Sequence, residues 1–334
     1  MKFKYFIIVL FLILSCSRDY DDRNRVSEYT SIISQETINF EDKLSHYNIF
    51  KGNPSELIPN DKFEVLELNS KLFTDYSYKQ RLVNIPDGKI IDKKSNGELI
   101  FPNGTILTKT FFYPHDERDW SKGKKIIETR LEIKEKNTWN IATYIWNDEQ
   151  TDAFLNSDGK NVSVNWINSE GNNQKINYEV PNSNQCVLCH QSNLKVTPIG
   201  PTLKNLNLLV NRNGLNINQL SHLQSNGFLT DFSIENIGSI TNYEDPNNTL
   251  DERFKSYLFI NCAHCHNPEG WEESSRKPYD FRYETPLINM GIIGKENKLH
   301  RVVNNGRMPY LGTTIKHNEG IEIINEYLKY LKDN

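Results

Sequence analysis

Polar and apolar residues alternate with a period of two through the middle of the chain. Ile127, Thr129, Leu131 and Ile133 interleave with Glu128, Arg130, Glu132 and Lys134. Successive side chains of a strand point to opposite faces, so this stretch predicts a half-buried strand with one face in water. Trp139, Ile141, Thr143 and Ile145 repeat the pattern, as do Val162, Val164 and Trp166. Residues 105–113 predict a further strand, stopped by Pro114, and residues 176–180 a last one, ending at Pro181. Pro86-Asp87-Gly88, Pro102-Asn103-Gly104 and Ser157-Asp158-Gly159 supply turn chemistry between the runs. Short strands at this spacing predict an antiparallel β-sandwich or a strongly curved sheet.

The period lengthens toward the C-terminus. Residues 216–226 read as a short helix stopped by Gly227. From about residue 248, Leu250, Phe254, Tyr257 and Leu258 fall on one helical face. Ile321, Ile324, Tyr327, Leu328 and Leu331 do the same in residues 320–331. The expected class is therefore α+β: an antiparallel β-sandwich-like domain over 44–205, a helical connector over 206–247, and a small all-α domain over 248–334.

Composition changes the picture in two ways. The 334 residues carry a formal net charge of −4, which gives no electrostatic case for nucleic-acid binding. Sixteen Tyr, sixteen Phe and five Trp are enough to build a core despite the low mean hydropathy. The N-terminus stands apart. Lys2 and Lys4 precede an apolar run over 5–14, and Ser15 and Cys16 follow. Such a run is short for a membrane span and reads as a secretory signal over 1–15. Ile13-Leu14-Ser15-Cys16 looks like a lipobox, which implies cleavage before Cys16 and its lipidation. The polar residues 16–43 would then be a tether from the membrane.

The remaining four of the five cysteines fall in two pentapeptides of one kind. Cys186-Val187-Leu188-Cys189-His190 and Cys262-Ala263-His264-Cys265-His266 are both Cys-x-x-Cys-His. The competing explanations are two disulfides or a single zinc site held by all four thiolates. Neither requires a His after each second Cys, so covalent attachment of c-type haem is the better reading. In that reading Cys186, Cys189, Cys262 and Cys265 form haem thioethers, and His190 and His266 are axial ligands to iron. Met308 lies in Gly306-Arg307-Met308-Pro309, between the two C-terminal helices. Its thioether is the expected sixth ligand of haem II, with Tyr310 and Trp271 beside that haem and His264 at the surface. Haem I has no obvious sixth ligand. His46, His115, His222, His300 and His317 are available on paper, and a five-coordinate haem with an open face is the other option. The motif of haem I follows directly on the last strand, so it is expected to hang on the edge of the β domain.

Several segments together resemble a family of exported bacterial di-haem c-type cytochromes. They are 71–76, 109–114, Glu128-Thr129-Arg130-Leu131, 144–147 through Asp152-Ala153, Asn184-Gln185-Cys186, Ile199-Gly200-Pro201 and 261–268. The resemblance covers about 44–332. It implies electron transfer with two covalent haems c, redox partner proteins, and a lipoprotein on the periplasmic or cell-surface face of a membrane. The alternative is a haem enzyme, either a di-haem peroxidase or a small-molecule oxidase, working at haem I. The first domain alone is similar in layout to lysine-cross-linked cytochromes that oxidise hydroxylamine. Lys109 sits on a strand, where an exposed lysine is the expected reading.

Overall fold

The computed structural model describes residues 38–271 and 278–334. The leader, Cys16 and most of the tether lie outside the described residues. No helix among the described residues is long and apolar enough to cross a membrane.

The chain is a mixture of mostly antiparallel sheet and a few helices. In chain order the first strands are β1 (Glu64–Val65), β2 (Tyr78–Asn84), β3 (Asp92–Lys93), β4 (Leu99–Ile100) and β5 (Ile106–Pro114). They are followed by β6 (Lys124–Glu135), β7 (Thr138–Trp146), β8 (Ala153–Asn156), β9 (Lys160–Ile167) and β10 (Asn173–Val180). Six of these make one antiparallel sheet in the order β1-β2-β5-β6-β7-β8. A register shift opposite Phe111 and Phe112 leaves Ile127 of β6 as the extra residue of a β-bulge. The β9–β10 hairpin is a separate ribbon.

The sheet buries both faces. One is closed by Leu82, Leu131, Ala142 and Tyr144 against Leu44, Ile49 and Leu57 from the preceding segment. The other carries two apolar cores. Val83, Leu107 and Trp139 pack with Val187, Leu203 and Leu220 at one end. Phe111, Ile127 and Ile145 pack with Val164, Trp166 and Tyr178 of the ribbon at the other. Between them lies a charged stripe. The wet face expected for β6 is therefore enclosed: Glu128 is fully buried and Glu132 is 5% exposed. The strand period is as expected, but the ribbon and the following helices cover the side that local pattern assigns to solvent.

After β10 comes helix α1 (Ser183–Cys189), started by a capping box. The Asn182 side chain accepts from Gln185 N–H, and the Gln185 side chain accepts from Asn182 N–H. Short pieces follow: β11 (Gln191–Ser192), β12 (Lys195–Val196), α2 (Leu203–Leu206), β13 (Leu209–Arg212), β14 (Leu215–Asn218) and α3 (Gln219–Ser225). The helix expected over 216–226 thus starts late. Residues Leu215–Asn218 pair with β13, and Asn218 caps α3.

The C-terminal segment holds α4 (Leu250–Cys262), α5 (Glu296–Asn304) and α6 (Asn318–Asp333). Thr249 and Glu252 form the capping box of α4. Phe254 and Tyr327 stack across α4 and α6 with ring centroids 3.9 Å apart. Gly320 lets α6 approach the ring of Tyr257, where a Cβ would lie 2.2 Å away. These helices enclose Leu258, Met290, Ile292 and Ile324, and Cys262 and Met308 both pack on that core.

Candidate functional site

The site grows from the register of the sheet. Arg81, Lys109, Arg130 and Thr143 are successive cross-strand partners on β2, β5, β6 and β7. They therefore point to one face. The neighbouring rows on that face contribute Lys79, Phe111 and Glu128 on one side and Val83, Leu107 and Glu132 on the other. Four cations and two carboxylates are thus set into an apolar surface. Arg130 makes a fork with Glu128, at 2.9 Å from Nε to Oε2 and 2.6 Å from Nη2 to Oε1. Its guanidinium lies 4.5 Å from the Phe111 ring centroid. Tyr178 OH donates to Glu128 at 2.6 Å.

Helix α1 lays the first Cys-x-x-Cys-His motif over this floor. The Cys186 sulfur is 3.9 Å from Thr143 Oγ1. Lys109, Phe111 and Arg130 line the same small cavity as Cys186, Cys189 and His190. The motif therefore sits above the sheet face and does not hang from its edge, and Lys109 is not an exposed strand lysine. Burial pushes the Lys109 pKa down, with Glu132 opposing, and burial pushes the Glu132 pKa up, with Lys109 opposing. His190 Nδ1 lies 3.2 Å from the Thr197 carbonyl and 3.7 Å from Glu132 Oε1. Burial, then the charges of Lys109 and Arg130, lowers its pKa. A neutral imidazole whose Nδ1–H is given to a carbonyl keeps its Nε2 lone pair for a metal.

The second motif begins at Cys262, the last residue of α4. In both, the His backbone N–H closes a helical turn onto the first Cys carbonyl, at 3.0 Å for His190 and 2.8 Å for His266. Tyr279 and Phe281 meet the His266 ring edge-on, with centroids 5.8 and 5.6 Å away. Met308 N–H donates to the Val302 carbonyl at 3.1 Å. Trp271 and Tyr310 stack at 5.6 Å. The four motif cysteines are thiols, without a disulfide among the described residues. Burial pushes Cys186 up to about 11 and Cys262 up to about 12.

The two motifs meet. Cys189, His264 and Cys265 have ligand atoms all within 4.8 Å of one another. The hydrogen bond between the two thiols holds the Cys189 pKa down and pushes that of Cys265 up. His264 is accordingly not a surface residue; it is half-buried against Cys189, and its Nδ1 is buried without a hydrogen-bond partner. Of the five histidines available on paper, His46, His115 and His300 are exposed, and His222 lies 3.1 Å from Glu64. His317 is buried, stacked on Phe73 at 4.0 Å and 3.2 Å from Tyr257 OH.

The donor types at the two motifs, two thiols and an imidazole in each, match those that hold haem c, whereas the cavity beside Cys186 and His190 is far smaller than a porphyrin. Arg81 Nε faces the floor buried and without an acceptor, as does Glu132 Oε2 without a donor. An anionic group in the larger cavity that Arg81 lines would satisfy its Nε. The cavity at motif I is about 60 Å³. It shares the wall Leu72, Phe73 and Thr74 with a cavity of about 700 Å³ that Lys79, Arg81, Tyr243 and His317 line.

Sequence reasoning missed Arg81, Arg130, Glu132 and Thr143. No local signal marks them, because charges alternating along a strand read the same whether that face is wet or enclosed. Comparison with known protein families, curated proteins and solved structures gives no match.

Proposed function

We propose that the protein is a membrane-anchored di-haem c-type cytochrome that transfers electrons in an extracytoplasmic compartment. The observation that carries this is the shared local geometry of the two motifs. In each, the His N–H closes one helical turn onto the carbonyl of the first Cys. Cys186 and Cys189 would hold haem I, and Cys262 and Cys265 haem II, each S–H adding across a vinyl double bond with no change of oxidation state. His190 and His266 would bind the irons, and Met308 would complete haem II. Bound haem supplies one-electron exchange at iron. The protein's part is to exclude water and set charge. Lys109 and Arg130 would supply cations beside Cys186 and His190, and the apolar core around Cys262 and Met308 would shield haem II from water. In this reading residues 44–205 form a β-sandwich-like haem I domain and 248–334 an all-α cytochrome c domain. Lipid on Cys16 would hold both at a periplasmic or cell-surface membrane face, within reach of redox partner proteins.

The enzyme alternative, a peroxidase or small-molecule oxidase with open iron at haem I, draws support from the charged floor of Lys109, Arg130 and Glu132. One preparation tests both. The full chain is expressed with haem-attachment machinery, and intact mass is measured after denaturation. Two covalent haems are expected, both low-spin by paramagnetic resonance. A stable colourless protein would refute haem binding. A high-spin ferric signal with peroxide turnover would replace electron transfer by catalysis.

A further inference from the structure

The charged stripe of the sheet holds more cations than carboxylates, and the surplus falls on β2. Glu128 forks with Arg130, and the charge of Glu132 acts on Lys109. That leaves Lys79 and Arg81, alternate residues of β2 and so on one face. Lys79 Nζ donates to backbone carbonyls, that of Leu72 at 2.9 Å and that of Ser77 at 3.4 Å. Arg81 is 8% exposed, its Nε is buried without an acceptor, and its guanidinium is in no ion pair among the described residues. Burial and then the neighbouring cations lower the Lys79 pKa, and burial brings that of Arg81 down to about 10. Buried charges in a folded chain are ordinarily paired, so an unpaired guanidinium points to an anion that the chain itself does not supply. Both cations line the cavity of about 700 Å³, a volume suited to a small molecule. Its walls are aromatic. Phe73 meets Tyr76 edge-on with ring centroids 5.0 Å apart, and buried Tyr243 commits its hydroxyl to the Lys71 carbonyl at 2.8 Å. Its outer end is acidic. Glu244, Glu322 and Glu326 line it, are exposed, and are in no ion pair among the described residues.

We propose that this cavity binds a small zwitterion of the amino-acid class, with its carboxylate on Arg81 and Lys79 and its ammonium among the carboxylates of the mouth. The order of charges decides the class. Phosphate or a dicarboxylate would be repelled by the acidic mouth. A simple amine would be held at the mouth and would leave Arg81 unpaired. A zwitterion meets both ends, and its zero net charge removes the repulsion on entry. The planar fork of Arg81 matches a carboxylate in geometry as well as in charge. Phe73, Tyr76 and Tyr243 offer ring surface to the body of the molecule. The site does not rest on the di-haem reading, whose donor residues all lie outside this cavity.

The test is isothermal titration calorimetry of the full-length protein with the proteinogenic amino acids, one at a time, and with inorganic phosphate. Each amino acid that binds is then compared with its decarboxylated amine and its deaminated acid. At least one amino acid should bind at a single site, with its deaminated acid about fivefold weaker and its amine without measurable heat. Arg81→Met should weaken binding at least about 30-fold. It should also raise the melting temperature of the ligand-free protein, because it removes a buried charge without a partner; an arginine with a merely structural role would lower it. Glu322 and Glu326 are exposed on α6, so Glu322→Gln with Glu326→Gln leaves the core intact. That double variant should bring an amino acid and its deaminated acid to equal affinity. The proposal is overturned by no binding of any amino acid, by an amine or a deaminated acid that binds the unaltered protein as tightly as its amino acid, by tighter binding of phosphate, or by undiminished affinity in Arg81→Met.

Discussion

Asp75 offers a quantitative handle on the loop that carries Met308. It is 1% exposed and sits at φ 50, a left-handed conformation that Asp tolerates better than most residues. Its carboxylate accepts from Thr314 N–H at 2.8 and 2.9 Å, from Thr314 Oγ1 at 2.8 Å and from Ile315 N–H at 3.1 Å. The chain that follows Met308-Pro309 is therefore hung on the segment that also supplies Phe73. Hydrogen bonds to a charged acceptor are each worth about 1.5–3 kcal/mol. Two corrections reduce the sum. Thr314 is exposed and regains water when the carboxylate is lost. Burial also raises the Asp75 pKa against the pull of these bonds, so the charged form carries a desolvation cost. Asp75→Ala should then release the loop by about 2 kcal/mol. Asp75→Asn, which keeps one acceptor oxygen and the left-handed tolerance, should cost about 1 kcal/mol. Hydrogen exchange of a peptide covering 311–317 reads this directly, since 2 kcal/mol corresponds to about 30-fold faster exchange. In the haem-loaded protein the thioether-to-iron charge-transfer band should weaken in the same order. Wild-type exchange in Asp75→Ala, or equal exchange in the two variants, would refute the assignment of the carboxylate as the anchor.

Three further outcomes are expected. Gly320→Ala should destabilise by about 1–3 kcal/mol despite a better helix propensity, because its Cβ would meet the Tyr257 ring at 2.2 Å; a raised melting temperature would contradict the close approach of α6 to α4. Burial lowers the His317 pKa to about 4, so the folded protein resists the proton that the unfolded chain binds near 6.5. Stability should thus be full above pH 6.5 and fall by at most about 3 kcal/mol as pH drops to 4, and denaturant unfolding of His317→Phe should lack that part of the loss. Replacing Cys186 and Cys189 by Ala should remove the mass of one haem and keep the other, and a protein still carrying two would disprove attachment at motif I.

Much of the local structure was legible. The strand over 124–135 and the helices ending at Cys262 and spanning Gly320 followed from periods of two and of three to four. A period reports backbone geometry, which neighbouring residues settle among themselves. The local form of both Cys-x-x-Cys-His motifs follows for the same reason, since each spans one helical turn closed by its His N–H. What neighbours cannot settle is what lies above a face. Glu128, Arg130 and Glu132 look like the wet side of a strand, and the ribbon of β9 and β10 together with α1 makes them the buried floor of motif I. Lys109 changes from a surface lysine to a cavity wall by the same enclosure. His264 and the contact of Cys189 with Cys265 depend on segments remote in the chain being packed against each other. The sequence by itself determined the longer strands β5, β6, β7 and β10, the helices α4 and α6, and the two Cys-x-x-Cys-His motifs. Only the tertiary structure decided that the donor sets share one place, because long-range packing, unlike helical or strand geometry, leaves no period in the residues that it joins.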